Sequence, residues 1–480
     1  VNLNLLIILA IGLASCGRNN TTQGSELAHK HCIGCHEFPE PALLSKGQWR
    51  DHVLPQMAAF MQVDTNQDSP NKNQIGRREW SAIVEYYLSR APETLPKPNI
   101  PKLDTLQQFR VELPPNRFGI PSLTLLRNNE SGGYFLSDAN AKSWIELRRD
   151  FSIAKAGAIA EGGVDVLTWK QDRYSLFMGS FSPTDAPTGL LLKHPSGAIE
   201  RAFVIHDSLQ RPVCMRAHDW NNDGAPDFVV CEFGKFSGSL SLLSSQKDGS
   251  LKRTVIQTSP GAISAELRDV NKDGHMDIIA LFAQANERID LMLSDGKGAF
   301  KTQTLIRFPA SYGSSSMKLH DLDGDGVEEL LYTAGDNADF PAITKPYHGI
   351  YVYSILDGFQ LKKSAFYPLP GAYAVHPADY DGDGTQELAC ISFFPDWLKQ
   401  AELGFVIIKP GNESTTRYAF IPKLHQAGRW ITMETTDADD DGDIDILLGS
   451  MTMETSPSTP LAATWANNKI PFVLLRNLLH

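Results

Sequence analysis

Five stretches of this 480-residue chain place side-chain oxygens at alternating positions around a glycine. One reads Asp321-Leu322-Asp323-Gly324-Asp325-Gly326-Val327-Glu328-Glu329, and related copies begin at Asp219, Asp269, Asp379 and Asp437. Loop positions 1, 3, 5 and 9 are Asp219, Asn221, Asp223 and Asp227; Asp269, Asn271, Asp273 and Asp277; Asp321, Asp323, Asp325 and Glu329; Asp379, Asp381, Asp383 and Glu387; and Asp437, Asp439, Asp441 and Asp445. Position 6, where the chain must turn sharply, is glycine in every copy (Gly224, Gly274, Gly326, Gly384, Gly442). The carbonyl at position 7 (Ala225, His275, Val327, Thr385, Asp443) would add one more oxygen. Such a set suits Ca2+, which takes six to eight oxygens in flexible geometry, so up to five ions are expected. A helix-loop-helix calcium hand needs Glu at position 12; Val230, Ala280, Tyr332, Cys390 and Leu448 stand there and exclude it.

A different chemistry is written nearer the start, in His31-Cys32-Ile33-Gly34-Cys35-His36. C-x-x-C-H is the spacing of c-type haem attachment, with Cys32 and Cys35 as thioethers and His36 as proximal ligand, one haem per chain. A thioredoxin-like disulfide should open a βαβ unit and a zinc ribbon should show a second Cys pair nearby; neither follows. Met57 and Met61 both offer a thioether for the sixth iron position. Met57 is favoured because it follows Leu54-Pro55, and Pro55 is expected to stop a preceding helix and turn the chain. His29 and His31 are read as exposed or surface-packing residues.

The elements around these motifs separate into two kinds. Glu79 to Ala91 carries Trp80, Ile83, Val84, Tyr87 and Leu88 at helical spacing and ends before Pro92. It resembles the C-terminal helix that packs across the haem in class I cytochromes c. After the acidic loops come Phe-Val-Val, Ile-Ile-Ala, Leu-Leu-Tyr and Ile-Leu-Leu, which read as strands, and the loops recur at intervals of 50 to 58 residues. One four-stranded sheet per repeat gives a propeller. Here the sequence resembles the FG-GAP or VCBS repeat family, whose DxDxDGxxD loops sit in the blades of integrin-α-like propellers.

Seven blades are expected. A first blade without a loop contains Tyr134–Asp138 and Trp144–Leu147, and a second carries a worn loop over Ala158–Leu167 that keeps Gly163 and Asp165. The terminal strand Pro471–Leu475 is expected to complete the first blade and close the ring. Three residues before the loops stand Arg216, Glu266, Lys318, His376 and Glu434, each preceded by Met215, Ala265, Met317, Val375 or Met433. Alternation sends the two sets to opposite faces: the apolar set between blades, the polar set around the axis. That ring either neutralises itself or holds a polar ligand. Cys214 and Cys231 fall nearly opposite each other on one hairpin, as a disulfide or as two buried thiols.

Residues 1–16 form an apolar segment ending Leu13-Ala14-Ser15-Cys16, which resembles a bacterial lipobox, so the segment is read as a signal peptide and Cys16 as a lipidated terminus. Residues 17–25 are read as a tether, 26–92 as a small all-α class I cytochrome c domain, 93–116 as a proline-rich linker and 117–480 as the all-β propeller. The 42% apolar composition supplies a sizeable core. The net charge of -12 argues against a nucleic-acid partner, and five divalent ions would cancel ten of those charges. The expected function is electron transfer by an extracytoplasmic cytochrome, lipid-anchored to a bacterial membrane in the periplasm or on the outer membrane. The propeller would dock a redox partner or ligand. Two rivals are a propeller dehydrogenase that passes electrons from a small organic substrate to its own haem, with Arg216, Lys318 and His376 on its axis, and a carbohydrate-binding or adhesion propeller with a redox accessory domain.

Overall fold

A computed structural model describes residues 16–34, 36–64, 66, 68, 75–115, 117, 119–129, 132–158, 162–198, 201–284, 286–338, 343–412, 414–452 and 459–479, with side chains from Thr22 onward. The chain forms two compact units, one comprising Val1–Lys97 and Pro309–Ser311 and the other Pro98–Phe308 and Tyr312–His480.

The first unit is built on helices Cys16–Cys32 and Arg77–Arg90, which pack on each other. Residues 17–25 are therefore helical and not a tether. Their composition is polar, but Gly24 and Ala28, one turn apart, are buried. A Cβ at Gly24 would come within 2.3 Å of the Ala82 carbonyl oxygen, so glycine is what allows the two backbones to approach there. From the second helix Ile83, Tyr86 and Tyr87 are buried, and Trp49 closes over Tyr87 at 4.3 Å between ring centroids while its indole N–H donates to the Pro41 carbonyl (2.8 Å).

Between them a helical run opens on a capping box, Ser45 with Gln48, passes through a π-turn at Trp49–Val53 and continues as Leu54–Phe60. Pro55 thus lies inside a continuous helical run, against expectation. In the π-turn the Leu54 N–H bonds back to the Trp49 carbonyl, which dislocates the hydrogen-bond ladder just where proline lacks a donor.

The second unit is a seven-bladed propeller. In each of the first six blades four consecutive strands form an antiparallel meander, and the seven innermost strands (Leu123–Asn128, Gly163–Trp169, Pro212–His218, Ala262–Arg268, Ser314–His320, Ala372–Ala378, Trp430–Thr436) pack neighbour to neighbour around a closed circle. Each breaks register against its second strand near its start, at equivalent places such as Pro212/Cys214 and Ala262/Ser264. That repeated bulge twists each strand toward the axis.

Closure differs from the expectation in direction. The seventh blade takes its first three strands from the C-terminal region, ending with Phe472–Asn477, and its outermost strand from the N-terminal side, where Phe109–Glu112 pairs antiparallel with Asn477–Leu474. Leu103–Thr105 adds a fifth, parallel strand to the sixth blade. The stretch read as a linker therefore supplies two strands. In the second blade Gly163 and Asp165, read as remnants of a worn loop, lie within the innermost strand, while residues 159–161 fall outside the described residues.

Apolar cores fill the spaces between blades. Met215, Ala265, Met317, Val375 and Met433 are all buried, and each belongs to a different inter-blade core, as their alternation with the polar set requires.

Candidate functional site

The acidic loops join the first and second strands of blades 3 to 7, and in all five the second strand begins at the position-9 acid (Asp227, Asp277, Glu329, Glu387, Asp445). Position 1 organises the loop. Asp219 accepts the backbone N–H groups of Asp223 (3.1 Å) and Gly224 (2.8 Å), and Asp269, Asp379 and Asp437 repeat this with their own loops. Asp321 accepts from Gly324 and Gly326 instead. Glycine at position 6 is required by the left-handed backbone there, with φ between 83° and 93° in the five copies.

Position 9 ties the loop to the sheet. Asp227 accepts from the Trp220 N–H (3.0 Å) and the Ser245 N–H (2.6 Å); Asp277 and Asp445 do the same with Val270 and Ser294, and with Ala438 and Asn477. Burial raises the pKa of all five position-9 acids, against the pull of these hydrogen bonds.

Three loops gather side-chain oxygens within 4.8 Å of one another: Asp321, Asp323 and Asp325; Asp379, Asp381 and Glu387; Asp437, Asp439 and Asp441. These are the loops with four acids, whereas Asn221 and Asn271 dilute the other two. Hard, anionic oxygens this close fit a divalent cation. The three are not equivalent, however. In blade 6, Lys409 Nζ lies 2.5 Å from both Asp381 and Asp383 and 3.4 Å from Glu387. In blade 7, Arg476 pairs with Asp439 and stands 3.8 Å from Asp445. Pairing of Leu388 with Ile408 and of Ile446 with Leu475 brings each basic residue opposite its position-9 acid. In blade 5 the equivalent residue is Ser354, and Asp321, Asp323, Asp325 and Glu329 make no ion pair with any described residue. Lys409 in turn lowers the Asp383 pKa to about 2.

On the axis six blades contribute a polar side chain at the same register, Arg127 joining Arg216, Glu266, Lys318, His376 and Glu434; in blade 2 that position is Leu167, and Asp165 stands two residues earlier, just past the bulge. Arg127 pairs with Glu434 at 2.9 Å; Arg216 lies 3.3 Å from Asp165 and 3.9 Å from Glu266; Arg268 lies 3.8 Å from Glu266. Asp165 also accepts the Met215 N–H (2.9 Å). Lys318 has no ion pair or hydrogen bond with a described residue, and the buried Nδ1 of His376 has no partner. Arg127 carries no motif of its own; only counting strands in a blade without a loop would have found it.

Cys214 and Cys231 are direct cross-strand partners on the blade-3 hairpin, both buried, as free thiols; Cys390 is a third buried thiol.

In the helical unit, Cys16 begins the first helix and Cys32 ends it. Cys35 lies outside the described residues. His36 Nδ1 is 2.8 Å from the Glu37 carbonyl oxygen, an arrangement that commits one ring nitrogen to the backbone and leaves Nε2 for a metal. The buried Tyr87 hydroxyl lies close to Cys32. This donor set is compatible with a covalently held haem. Met57 is half-buried on Leu54–Phe60, and Met61 caps that helix, its N–H donating to the Met57 carbonyl (2.9 Å). His29 is exposed and stacks on Phe38 at 3.8 Å, whereas His31 is half-buried with Nε2 unpartnered. No described helix is long and apolar enough to cross a membrane.

A family model described as FG-GAP-like repeat matches residues 219–280 and 269–332, spans that include the first three acidic loops, so the propeller carries FG-GAP-like repeats. No curated protein matches the sequence. Similar solved structures include a streptogramin B lyase (10% identity, 78% of this chain and 99% of that one, TM-score 0.48). They also include BBS1N in complex with ARL6DN (10%, 77% and 97%, 0.47) and the N-terminal domain of Nup159 (10%, 78% and 96%, 0.43).

Proposed function

We propose that this chain is an extracytoplasmic electron carrier in which a c-type cytochrome is tethered to a calcium-binding propeller that docks a partner or ligand. The observation that carries the reading is the Cys32-x-x-Cys35-His36 set, with His36 Nδ1 held by the Glu37 carbonyl so that Nε2 stays available. When bound, a haem supplies a one-electron centre. Cys32 and Cys35 would hold it covalently, His36 would bind the iron, and Met57 would close the sixth position; a His/Met pair favours electron transfer over oxygen chemistry. Cys16 would carry the lipid that keeps the protein at a membrane surface, with two or more acyl chains needed for stable attachment.

In the propeller, calcium is assigned to the acidic loops, first to the one at Asp321, whose carboxylates have no internal counter-ion. Its role is structural: joining first and second strands, each loop fixes how a blade meets the top of the ring. FG-GAP-like repeats in a seven-bladed propeller support docking as the propeller's role.

Expression in a bacterium able to mature c-type cytochromes tests the central claim. The purified chain should keep a haem absorption band after denaturation and acid-acetone extraction, and Cys32→Ala with Cys35→Ala should lose it. A chain that folds without covalent haem in that host would sink the cytochrome reading. Cys16→Ser should move the protein from the membrane to the soluble fraction with its haem intact.

A further inference from the structure

On the blade-3 hairpin two cysteines face each other. Cys214 is the first residue of the innermost strand to pair after its bulge, and Cys231 stands directly opposite. The same place in the later blades holds Ser264 with Leu281, Ser316 with Thr333, Ala374 with Ile391 and Thr432 with Gly449. Side chains converge there. In blade 5, Ser316 Oγ lies 2.7 Å from Thr333 Oγ1, and in blade 7 a Cβ on Gly449 would fall 2.1 Å from Thr432 Oγ1. Opposite Cβ atoms of an antiparallel pair stand about 4.5–5.5 Å apart, and a disulfide needs about 3.5–4.5 Å. Closure therefore draws the strands together by about 1 Å, and strain of that kind keeps the bond reducible.

The two thiols are chemically unequal. Both lie in the apolar core between blades 3 and 4, Cys231 fully buried and Cys214 6% exposed. Burial alone pushes a thiol up, as it does at Cys390. In the pair the leading influence is the hydrogen bond between the thiols. It pulls the Cys214 pKa below the ordinary thiol value, with the Arg216 guanidinium acting the same way against burial, and it pushes that of Cys231 up. Arg216 is two residues along the same strand, so its side chain leaves on the same face as Cys214. The thiolate is the nucleophile in disulfide exchange, so Cys214 attacks and Cys231 resolves.

We propose that Cys214 and Cys231 are a redox-active disulfide site, closed by exchange with a small or protein disulfide. The Cys214 thiolate attacks one sulfur of the oxidant and expels the other as a thiolate. Cys231, losing its proton, then attacks Cys214 Sγ and expels the second oxidant thiolate. Two electrons and two protons pass to the oxidant, which leaves as two thiols. The ring so closed, from 214 to 231, contains the whole loop Asp219–Asp227, in which Asn221 stands where the loops of blades 5 to 7 have a further acid. The bond thus fixes the ends of a weaker cation site. A cross-link restricts the unfolded chain, so the closed form is the more stable one. The chemistry requires neither haem nor bound calcium.

The test incubates the full wild-type chain with oxidised or with reduced glutathione, in urea below its unfolding transition so that buried thiols are exposed transiently. Remaining thiols are then alkylated in denaturant and the tryptic peptides weighed. Oxidised glutathione should yield a Cys214–Cys231 linked peptide, two hydrogens lighter than its separate halves, while Cys390 is alkylated in both buffers. The wild type should melt about 5 °C lower in the reduced buffer, and Cys214→Ala with Cys231→Ala should melt alike in both. Cys231→Ala should trap glutathione on Cys214 severalfold faster than Cys214→Ala traps it on Cys231. Circular dichroism establishes that the variants are folded; should they not be, the wild-type peptides decide alone. Cys214 and Cys231 both alkylated after oxidised glutathione, either one joined to Cys390 instead, a wild-type melt indifferent to redox state, or equal trapping rates in folded single variants would each overturn the assignment.

Discussion

Lys409 Nζ sits 2.5 Å from Asp381 Oδ2 and equally close to Asp383, an ammonium held among the carboxylates of a loop whose sequence reads as a divalent-cation site. The lysine comes from the third strand of the same blade, one residue past Ile408, so it is delivered by sheet register and not by the loop itself. A tethered monovalent cation in that place competes with any metal. It also relieves the repulsion that would otherwise make the loop depend on one.

The first consequence is an unequal response to calcium. Lys409→Met should destabilise the metal-free propeller, by about 1 kcal/mol for a pair that is a third exposed, and should enlarge the rise in melting temperature on adding calcium. Thermal melts of wild type and variant in chelator and in calcium give the comparison. Identical calcium increments in the two proteins would mean that Lys409 does not compete for the site.

Blade 5 should show the opposite behaviour. Asp321, Asp323, Asp325 and Glu329 have no internal cation, so the melting temperature should fall most on chelation through this loop. A site bound at a hundredfold excess of ion over its dissociation constant contributes about 2.7 kcal/mol. Asp323→Asn with Asp325→Asn should remove most of the calcium response while leaving the haem spectrum unchanged. A full response in that double variant would move the dominant site elsewhere.

Much of this organisation is legible in the amino-acid sequence, and the misses have physical causes. The loops and the strands after them are local: glycine at a left-handed position and an acid opening an apolar run identify both. The alternation of Met215 with Arg216 and of Met433 with Glu434 likewise fixes which face meets the neighbouring blade. Asp165 reads as part of a loop because Gly163-Val-Asp165 is the same alphabet as a loop remnant, while its role depends on a partner, Arg216, 51 residues away. Phe109–Glu112 hides among prolines, and its partner Asn477–Leu474 lies more than 360 residues further along the chain. Lys409 and Arg476 carry no motif at all; cross-strand register alone puts them beside the loops.

A pH dependence follows from Glu287. Its carboxyl is buried and its pKa is pushed up to about 8, by burial first, while a hydrogen bond from the Ser314 N–H opposes the shift. The folded state therefore holds a proton that the unfolded chain gives up near pH 4.5. Folding stability from this group is full below pH 4.5 and is lost as pH rises toward 8, by an amount on the order of 5 kcal/mol. Glu287→Gln mimics the protonated form, so it should flatten that slope and melt higher than wild type at pH 8. Parallel pH profiles for the two proteins would show that Glu287 is not the group responsible.

The last prediction concerns the sixth iron ligand. Met57 and Met61 are one helical turn apart, Met57 within Leu54–Phe60 and Met61 at its C-cap, so their side chains leave the helix on the same side. The choice turns on backbone restraint. Met57 lies two residues past Pro55 and is held by a ladder that the π-turn at Trp49–Val53 re-registers, whereas Met61 is at the frayed end, where the chain leaves the helix. A ligand that must keep a thioether on iron through a change of redox state is better placed on the restrained residue. Met57→Ala should therefore abolish the weak near-infrared band of Met-ligated ferric haem and lower the reduction potential, and Met61→Ala should leave the band in place. If the band survives in Met57→Ala and vanishes in Met61→Ala, the ligand is Met61. Ready binding of carbon monoxide by the wild type would contradict a closed sixth position altogether.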